Sequence, residues 1–412
     1  MKILGFDLGD GESAVTLLDE DSNVEPRVLP LCGRNSLLSA VGVKNGRIVI
    51  GEEASVTDGA AEAKVRFKSR YLTDPSASAD VRAFAQGVMN ELTRTQPALM
   101  AEVSRTVVGC PAGWGDGRRE QYAALLESAG FPNVSVVPEP RAAFLYARHA
   151  RGLRVSPELM KKSAMVIDIS SSTTDFAYIV DGHQQNVSLF GDTNLGGGLI
   201  DELILSRAMA ASRDQKALEA VFEESPAWRS YCELEARRLK ESYFLDEEKW
   251  AEAPLCRTLT VCYDEPLALE LSIGWASIRK MVEQPIPALG GRSFVGCLKD
   301  ALCAAVEVSR SCPPEVVILT GGASRMAFFQ QACREEFADA LVVLCPEPEC
   351  SIRAVWLMPG AWMKGSKRFG RRSPPLRTEK SSPWRSTPVR MNCMNPWRRR
   401  CLTSRRRARW KR

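Results

Sequence analysis

VIDISSSTTD, Val166–Asp175, begins as an apolar β-type run, reaches Asp168, and breaks into small hydroxylated residues before apolar character resumes at Phe176. This order reads as strand, turn and strand. GFDLGDGES, Gly5–Ser13, has the same form about 160 residues earlier, with Asp7 at the end of its first strand and Gly9 and Gly11 in its turn. A strand-turn-strand unit used twice predicts two halves of like build, with Asp7 and Asp168 in equivalent places.

Working outward, Ile3–Phe6 and Ala14–Leu18 predict strands around the first turn, and Val41–Ile50 contains Asn45-Gly46, a hairpin signal. The spacing of Val81, Phe84, Ala85, Val88, Met89 and Leu92 predicts a helix over Asp80–Leu92. A strand at Thr106–Gly109, a helix at Gly117–Ala129, a strand at Val134–Val137 and a helix at Glu139–Ala150 follow. The second half restarts with strands at Ala164–Ile169 and Phe176–Val180 and enters a helix after Gly196-Gly197-Gly198. Glu219–Phe244 is helix-rich and charged, Thr258–Cys262 and Leu267–Leu271 predict a small hairpin, and Trp275–Val282 is helical. Val316–Thr320 predicts a buried strand running into GGASRM and a further helix.

The chain has 412 residues, 45% of them hydrophobic, enough for sizeable cores in two or more lobes. MKILGFDLGD offers neither the apolar centre of a signal peptide nor a membrane span, so no membrane partner is expected. Thirteen cysteines lie scattered without a CxxC, and His149 and His183 are the only histidines. Neither a disulfide framework nor a zinc site is indicated, and a cytoplasmic location is expected.

The net charge of +5 sums two unlike parts. From Lys364 to Arg412 there are 18 Lys or Arg against Glu379 alone, leaving 37 basic and 49 acidic residues before them, a net of −12. The tail, 353–412, has no apolar periodicity and is expected to be disordered. Arg398–Arg400 and Arg405–Arg407 would attract nucleic acid non-specifically. RAVWLMPGAWM, Arg353–Met363, can be encoded so that the next reading frame gives RGLAYAGRVD, a helix-like sequence. The hypothesis is that a frameshift near Ile352 replaced the original end; an intact frame through Arg412 in several isolates would remove it.

A nucleoside triphosphate with Mg²⁺ requires close-approaching backbone amides, hydroxyls for phosphate oxygens, and carboxylates that hold the metal through its waters. Gly9, Gly11 and Asp7 suit these needs on one side; Asp168, Thr173, Thr174 and Asp175 suit them on the other. Ser170, Ser171 and Ser172 can present amides and hydroxyls, although their Cβ atoms restrict approach. In VILTGGASRM, Val317–Met326, Gly321 and Gly322 let a flat base lie against the backbone, and Arg325 can stack on it.

With these three loops in this order, Met1 to about Ile352 resembles the nucleotide-binding domain of the seventy-kilodalton heat-shock (DnaK-type) chaperones, within the actin-like ATPase superfamily. Gly5–Ser13 resembles that family's first phosphate loop, Asp168–Asp175 the second, and Gly321–Arg325, with Ser324, the adenosine loop. VPEPRAAFLYA, Val137–Ala147, resembles the segment NEPTAAALAYG. Val107–Ala112 resembles the strand end before it, and Leu195-Gly196-Gly197 the LGG loop. Carried over by position, Lys68 matches the catalytic lysine, the alternative being a solvated surface lysine. Glu139 matches the carboxylate behind the metal waters, the alternative being a helix cap at Pro140. Glu235, Arg238 and Ser242 resemble the adenosine-contacting helix, the alternative being a solvated face.

The resemblance implies an α/β, ribonuclease H-like fold with two similar lobes and a central nucleotide cleft. Lobe I is expected over 1–165 with an insertion near 38–102, and lobe II over 166–352 with an insertion near 206–287. It implies slow hydrolysis of ATP to ADP, with Asp7 and Asp168 orienting hydrated Mg²⁺, Lys68 and Thr173 holding the terminal phosphate, and Glu139 or Asp175 placing water. Co-chaperone or client proteins are possible partners, although no substrate-binding module is expected after the nucleotide domain. Two departures matter. Where the family has two threonines, this chain has Asp10 and Gly11, which removes hydroxyls and sets a negative charge near phosphates. The second loop exchanges glycines for Ser170–Ser172. The alternatives are an actin-like polymerising scaffold, a sugar or acyl kinase, a degenerate nucleotide binder without turnover, and a nucleic-acid binder acting through the tail.

Overall fold

In the first half, β1 (Lys2–Leu8) and β2 (Glu12–Asp19) form an antiparallel hairpin with Asp7 opposite Ala14. β3 (Arg27–Leu29) and β4 (Leu37–Leu38) extend β2 on its outer side. A separate small sheet of β5 (Ala40–Lys44), β6 (Arg47–Ile50) and β7 (Ala61–Val65) follows, turning at Asn45 and Gly46 with φ of 51° and 74°. Positive φ at both turn residues is the geometry that Asn-Gly favours. β8 (Val103–Cys110) then joins β1 in parallel, and β9 (Val134–Pro138) joins β8 in parallel.

The same plan recurs. β10 (Ser163–Ile169) and β11 (Thr174–Val180) pair antiparallel with Asp168 opposite Asp175, and β12 (His183–Gln184) extends β11. After an inserted hairpin, β13 (Leu255–Val261) with β14 (Leu267–Ile273), and the two-residue ladder of β15 (Pro285–Ile286) and β16 (Arg292–Ser293), β17 (Val316–Thr320) joins β10 in parallel. β18 (Leu341–Leu344) joins β17 in parallel. The main strand orders are β3-β2-β1-β8-β9 and β12-β11-β10-β17-β18, so the duplication legible in the two loops extends through five strands.

The computed structural model describes residues 1–21, 26–55, 61–74, 77–139, 144, 163–185, 195–262 and 265–345, all within one compact unit. The basic tail at 353–412, the frameshift position and most of the Glu139–Ala150 helix lie outside the described residues. Among those described, no helix is long and apolar enough to cross a membrane.

Each half has its own core. In the first, Phe6 stacks on Phe131 with ring centroids 4.7 Å apart, and Val81, Phe84, Val88 and Leu92 bring the Ser78–Thr95 helix onto the sheet. In the second, every residue of β10 is buried. Met165, Ile167 and Ile169 face the large helical core, while Ala164 and Val166 face a smaller cluster with Ile179 and Ile318 on the opposite side. Period-two alternation between two covered faces explains an uninterrupted apolar strand. The charged Glu219–Phe244 stretch is two helices, Gln215–Glu224 and Pro226–Leu245, divided where Pro226 cannot continue a helix but can start one. Strands β3, β4, β7 and β18 and the Phe294–Val308 helix had no expectation from sequence.

Candidate functional site

Parallel pairing sets the site. β1, β8 and β9 end at one edge of their sheet, and β10, β17 and β18 end at one edge of theirs; open α/β sheets bind ligands at such carboxyl ends. Asp7 and Asp168 are the next-to-last residues of their strands. The parallel register sets Asp168 beside Thr320, so Gly321 follows directly next to it. Asp7, Asp168 and Gly321 together line one cavity of about 730 Å³, whose walls also include the Pro226–Leu245 helix.

The same cavity is lined by Gly9, Asp10, Gly11, Lys68, Glu139, Ser170, Ser171, Ser172, Thr173, Gly197, Arg238, Ser242, Gly322 and Arg325. Asp175, Gly196, Glu235 and Ser324 do not line it; they support residues that do or shape the loops around it. Asp175 accepts the hydroxyl of Thr173 at 2.6 Å. Glu235 is buried and ion-paired with Arg238 and Arg257, so it is no solvated helix face. Ser324 donates its hydroxyl to the Gly321 carbonyl at 2.7 Å, fixing the turn. A Cβ on Gly196 would overlap the backbone of Ser171 and Ser172, because the Gly197 and Gly198 amides donate to the carbonyls of Ser170 and Ser171 at 2.9 and 2.6 Å.

The serine loop is built largely by one hydroxyl. Ser170 Oγ accepts the Thr173 amide at 3.1 Å and the Ser172 amide at 3.3 Å. Such a side-chain turn takes up amides that a glycine loop would leave for a ligand.

Lys68 sits on the short Phe67–Thr73 helix, anchored by Phe67, whose ring lies 5.0 Å from that of Phe84. Lys68 is 7% exposed and its ammonium donates to Glu139 at 2.8 Å, which rules out the solvated surface reading. Burial opposes the Lys68 charge, but Glu139, with Tyr122 and Asp7 adding to it, more than offsets this and raises the pKa. The carboxylates show the opposite side of the same balance. Burial, then the nearby Glu139 charge, pushes Asp7 up to about 7. Burial raises Asp175 to about 6 against the pull of the Thr173 hydrogen bond. Asp168 is raised well above its usual range by burial and by Glu139, Asp175 and Asp7.

Four acids thus share one buried ammonium, and the donor set suits a hydrated divalent cation carried by a polyphosphate. Among the described residues no group of three or more His, Cys, Asp or Glu side chains is placed to hold a metal ion directly.

Raised carboxylate pKa values mean that the folded state takes up protons more readily than the unfolded chain. The resulting stabilisation is full below 3.8 and is lost as pH rises through about 6 for Asp175 and about 7 for Asp7. The nucleotide-free protein is therefore expected to melt higher at about pH 5 than at about pH 8, and Asp168→Asn to narrow the gap. Differential scanning fluorimetry at constant ionic strength checks this; a melting temperature that rises over the interval contradicts it.

Sequence reasoning missed four cations. Arg66, with φ of 53°, pairs with Glu202 and Glu233 and donates to the Gly198 carbonyl at 2.7 Å, tying the first half to the second. Asp10 lies within its field, so the charge expected to repel phosphate is partly offset. Lys240 pairs with Asp201 at 2.6 Å and donates to the Gly197 carbonyl at 2.8 Å. Arg257 holds Glu235 from β13, and Arg237 reaches the first loop. Arg237 and Lys240 stand in EARRLKES, where the charge run hides which residues turn inward.

A family model described as Hsp70 protein matches residues 53–342, well over half of the chain. That match spans the second loop, the Gly196–Gly198 turn and the Gly321–Arg325 loop.

Proposed function

Because the chain belongs to the Hsp70 family, with its actin-like ATPase fold and nucleotide-binding chaperone-family domain, we propose that it binds Mg-ATP and hydrolyses it slowly to ADP and phosphate. The observation carrying this reading is the placement of Asp7 and Asp168, from equivalent hairpins, in one cavity with Gly321 and the Lys68–Glu139 pair.

When bound, Mg²⁺ neutralises phosphate charge. Asp7 and Asp168 hold its waters. Lys68 and Thr173 hold the terminal phosphate, with Thr173 oriented by Asp175. Glu139 is the better placed of the two candidate acids to orient water, because it lines the cavity and Asp175 does not. Gly321 and Gly322 accept the base with Arg325 against it, and Glu235 acts through Arg238. Slow turnover is supported by the commitment of Lys68 to Glu139 and of the serine-loop amides to Ser170. These same contacts favour, as the second reading, a nucleotide binder without turnover.

Nucleotide state would bias closure of the two halves and through it any co-chaperone or client contact. Cytoplasmic residence belongs to the same proposal and rests on cysteine usage. The deciding experiment is calorimetric titration with Mg-ATP. Wild type is expected to bind and Asp168→Ala to lose binding by about tenfold or more; no heat from the wild type would refute the proposal.

A further inference from the structure

Among the described residues, Arg237 is a cleft cation whose position bears on a departure in the first loop. It extends from the Pro226–Leu245 helix to Gly11 across the cavity. A Cβ at residue 11 would overlap Cζ and both Nη atoms of Arg237. Gly11 is not among the positive-φ glycines, so its backbone does not require glycine; a larger residue there would have to displace the guanidinium, the movable end of a long side chain.

The donors of Arg237 are unevenly used. Nε donates to Glu241 at 2.7 Å, and Nη2 stands 4.0 Å from Glu12, beyond hydrogen-bond distance. Among the described residues the Nη groups donate no hydrogen bond. Burial works against the Arg237 charge, but Glu241 and Glu12 hold it ionised. Lys68, Arg238, Lys240 and Arg257 are likewise closely paired with carboxylates; Arg237 makes its close pair through Nε alone, which leaves the Nη edge facing Gly11.

We propose that Arg237 is a polyphosphate-contacting residue of this cleft, specific for nucleoside di- and triphosphates over the nucleoside, and that Gly11 is small in order to seat it. The inference rests on the Mg-nucleotide reading of the same cavity. A guanidinium presents parallel donors that match phosphate oxygens. It would serve as the anion donor in place of the threonine hydroxyl that the family's first loop carries where this chain has Gly11. The competing role is a strut between the Pro226–Leu245 helix and the first loop, made by Glu241 and Glu12 alone.

The test is calorimetric titration of the full chain with Mg-ATP, Mg-ADP and adenosine, on wild type, Arg237→Gln, Gly11→Thr and the Gly11→Thr/Arg237→Ala double variant. Arg237→Gln is expected to weaken both Mg-nucleotides by about 10- to 100-fold and to leave adenosine unchanged. Gly11→Thr should show the same selective weakening, because its side chain displaces the guanidinium. Adding Arg237→Ala to it should recover part of the affinity, since the obstructing group is gone and a hydroxyl is present. Unchanged Mg-ADP affinity in Arg237→Gln overturns the assignment and leaves the nucleotide reading intact. So does an equal weakening for adenosine, which marks a strut. Absence of binding by the wild type overturns both.

Discussion

Lys68→Ala is expected to lower single-turnover phosphate release by about 100-fold or more, the scale of removing one preorganised charge from a transition state. The ammonium lies inside a group of carboxylates, with Glu139 at 2.8 Å and Asp7 and Asp168 in the same cavity. Its removal should therefore also destabilise the fold, because Glu139 is left as an uncompensated buried charge, at a cost of about 3–5 kcal/mol. Lys68→Ala/Glu139→Gln separates the two effects. The double variant should regain part of the melting temperature, since the carboxylate 2.8 Å from the ammonium is no longer stranded, while phosphate release stays low. Turnover that survives Lys68→Ala unchanged would remove the lysine from the proposed chemistry. A double variant no more stable than the single one would show that Glu139 is not the strained partner.

Gly321→Ala is the second large effect. Gly321 has φ of 80°, and a Cβ there would collide with the Ile169 carbonyl and with Asp168 Oδ1. The backbone conformation alone costs a non-glycine residue about 1–3 kcal/mol. Because β10 and β17 are locked in register, neither neighbour can retreat without breaking the ladder that positions Asp168. The expected result is a lower melting temperature together with Mg-ATP affinity reduced by about tenfold or more. Gly113→Ala is the control: nothing lies within 4 Å of its Cβ position, and its melting temperature should not move. Equal behaviour of the two variants would show that the strand-end glycine has no special place.

Several parts of this site are legible in the chain itself. An aspartate before a turn of small residues, twice, predicts equivalent hairpins because strand periodicity and turn chemistry are local properties; the hairpins are β1–β2 and β10–β11. Lys68 is identified by position, but its burial beside Glu139 depends on Phe67 packing against Phe84, a contact across 17 residues that no local pattern encodes. The serine loop reads as offering amides, whereas Ser170 Oγ accepts two of them. The Pro226–Leu245 helix is the least transparent, because alternating charges have the same appearance whether they meet water or each other.

Turn propensity and apolar alternation act over a few residues, so the repeated hairpin, the order of the three loops and the identities of the paired acids can be read along the chain. Which charges face one another depends on packing between remote segments. Asp10 near Arg66, Gly11 under Arg237 and Glu139 on Lys68 are contacts between segments distant in the chain. Their electrostatics follow from burial and separation, which exist only once the two sheets and the helix between them enclose the cavity.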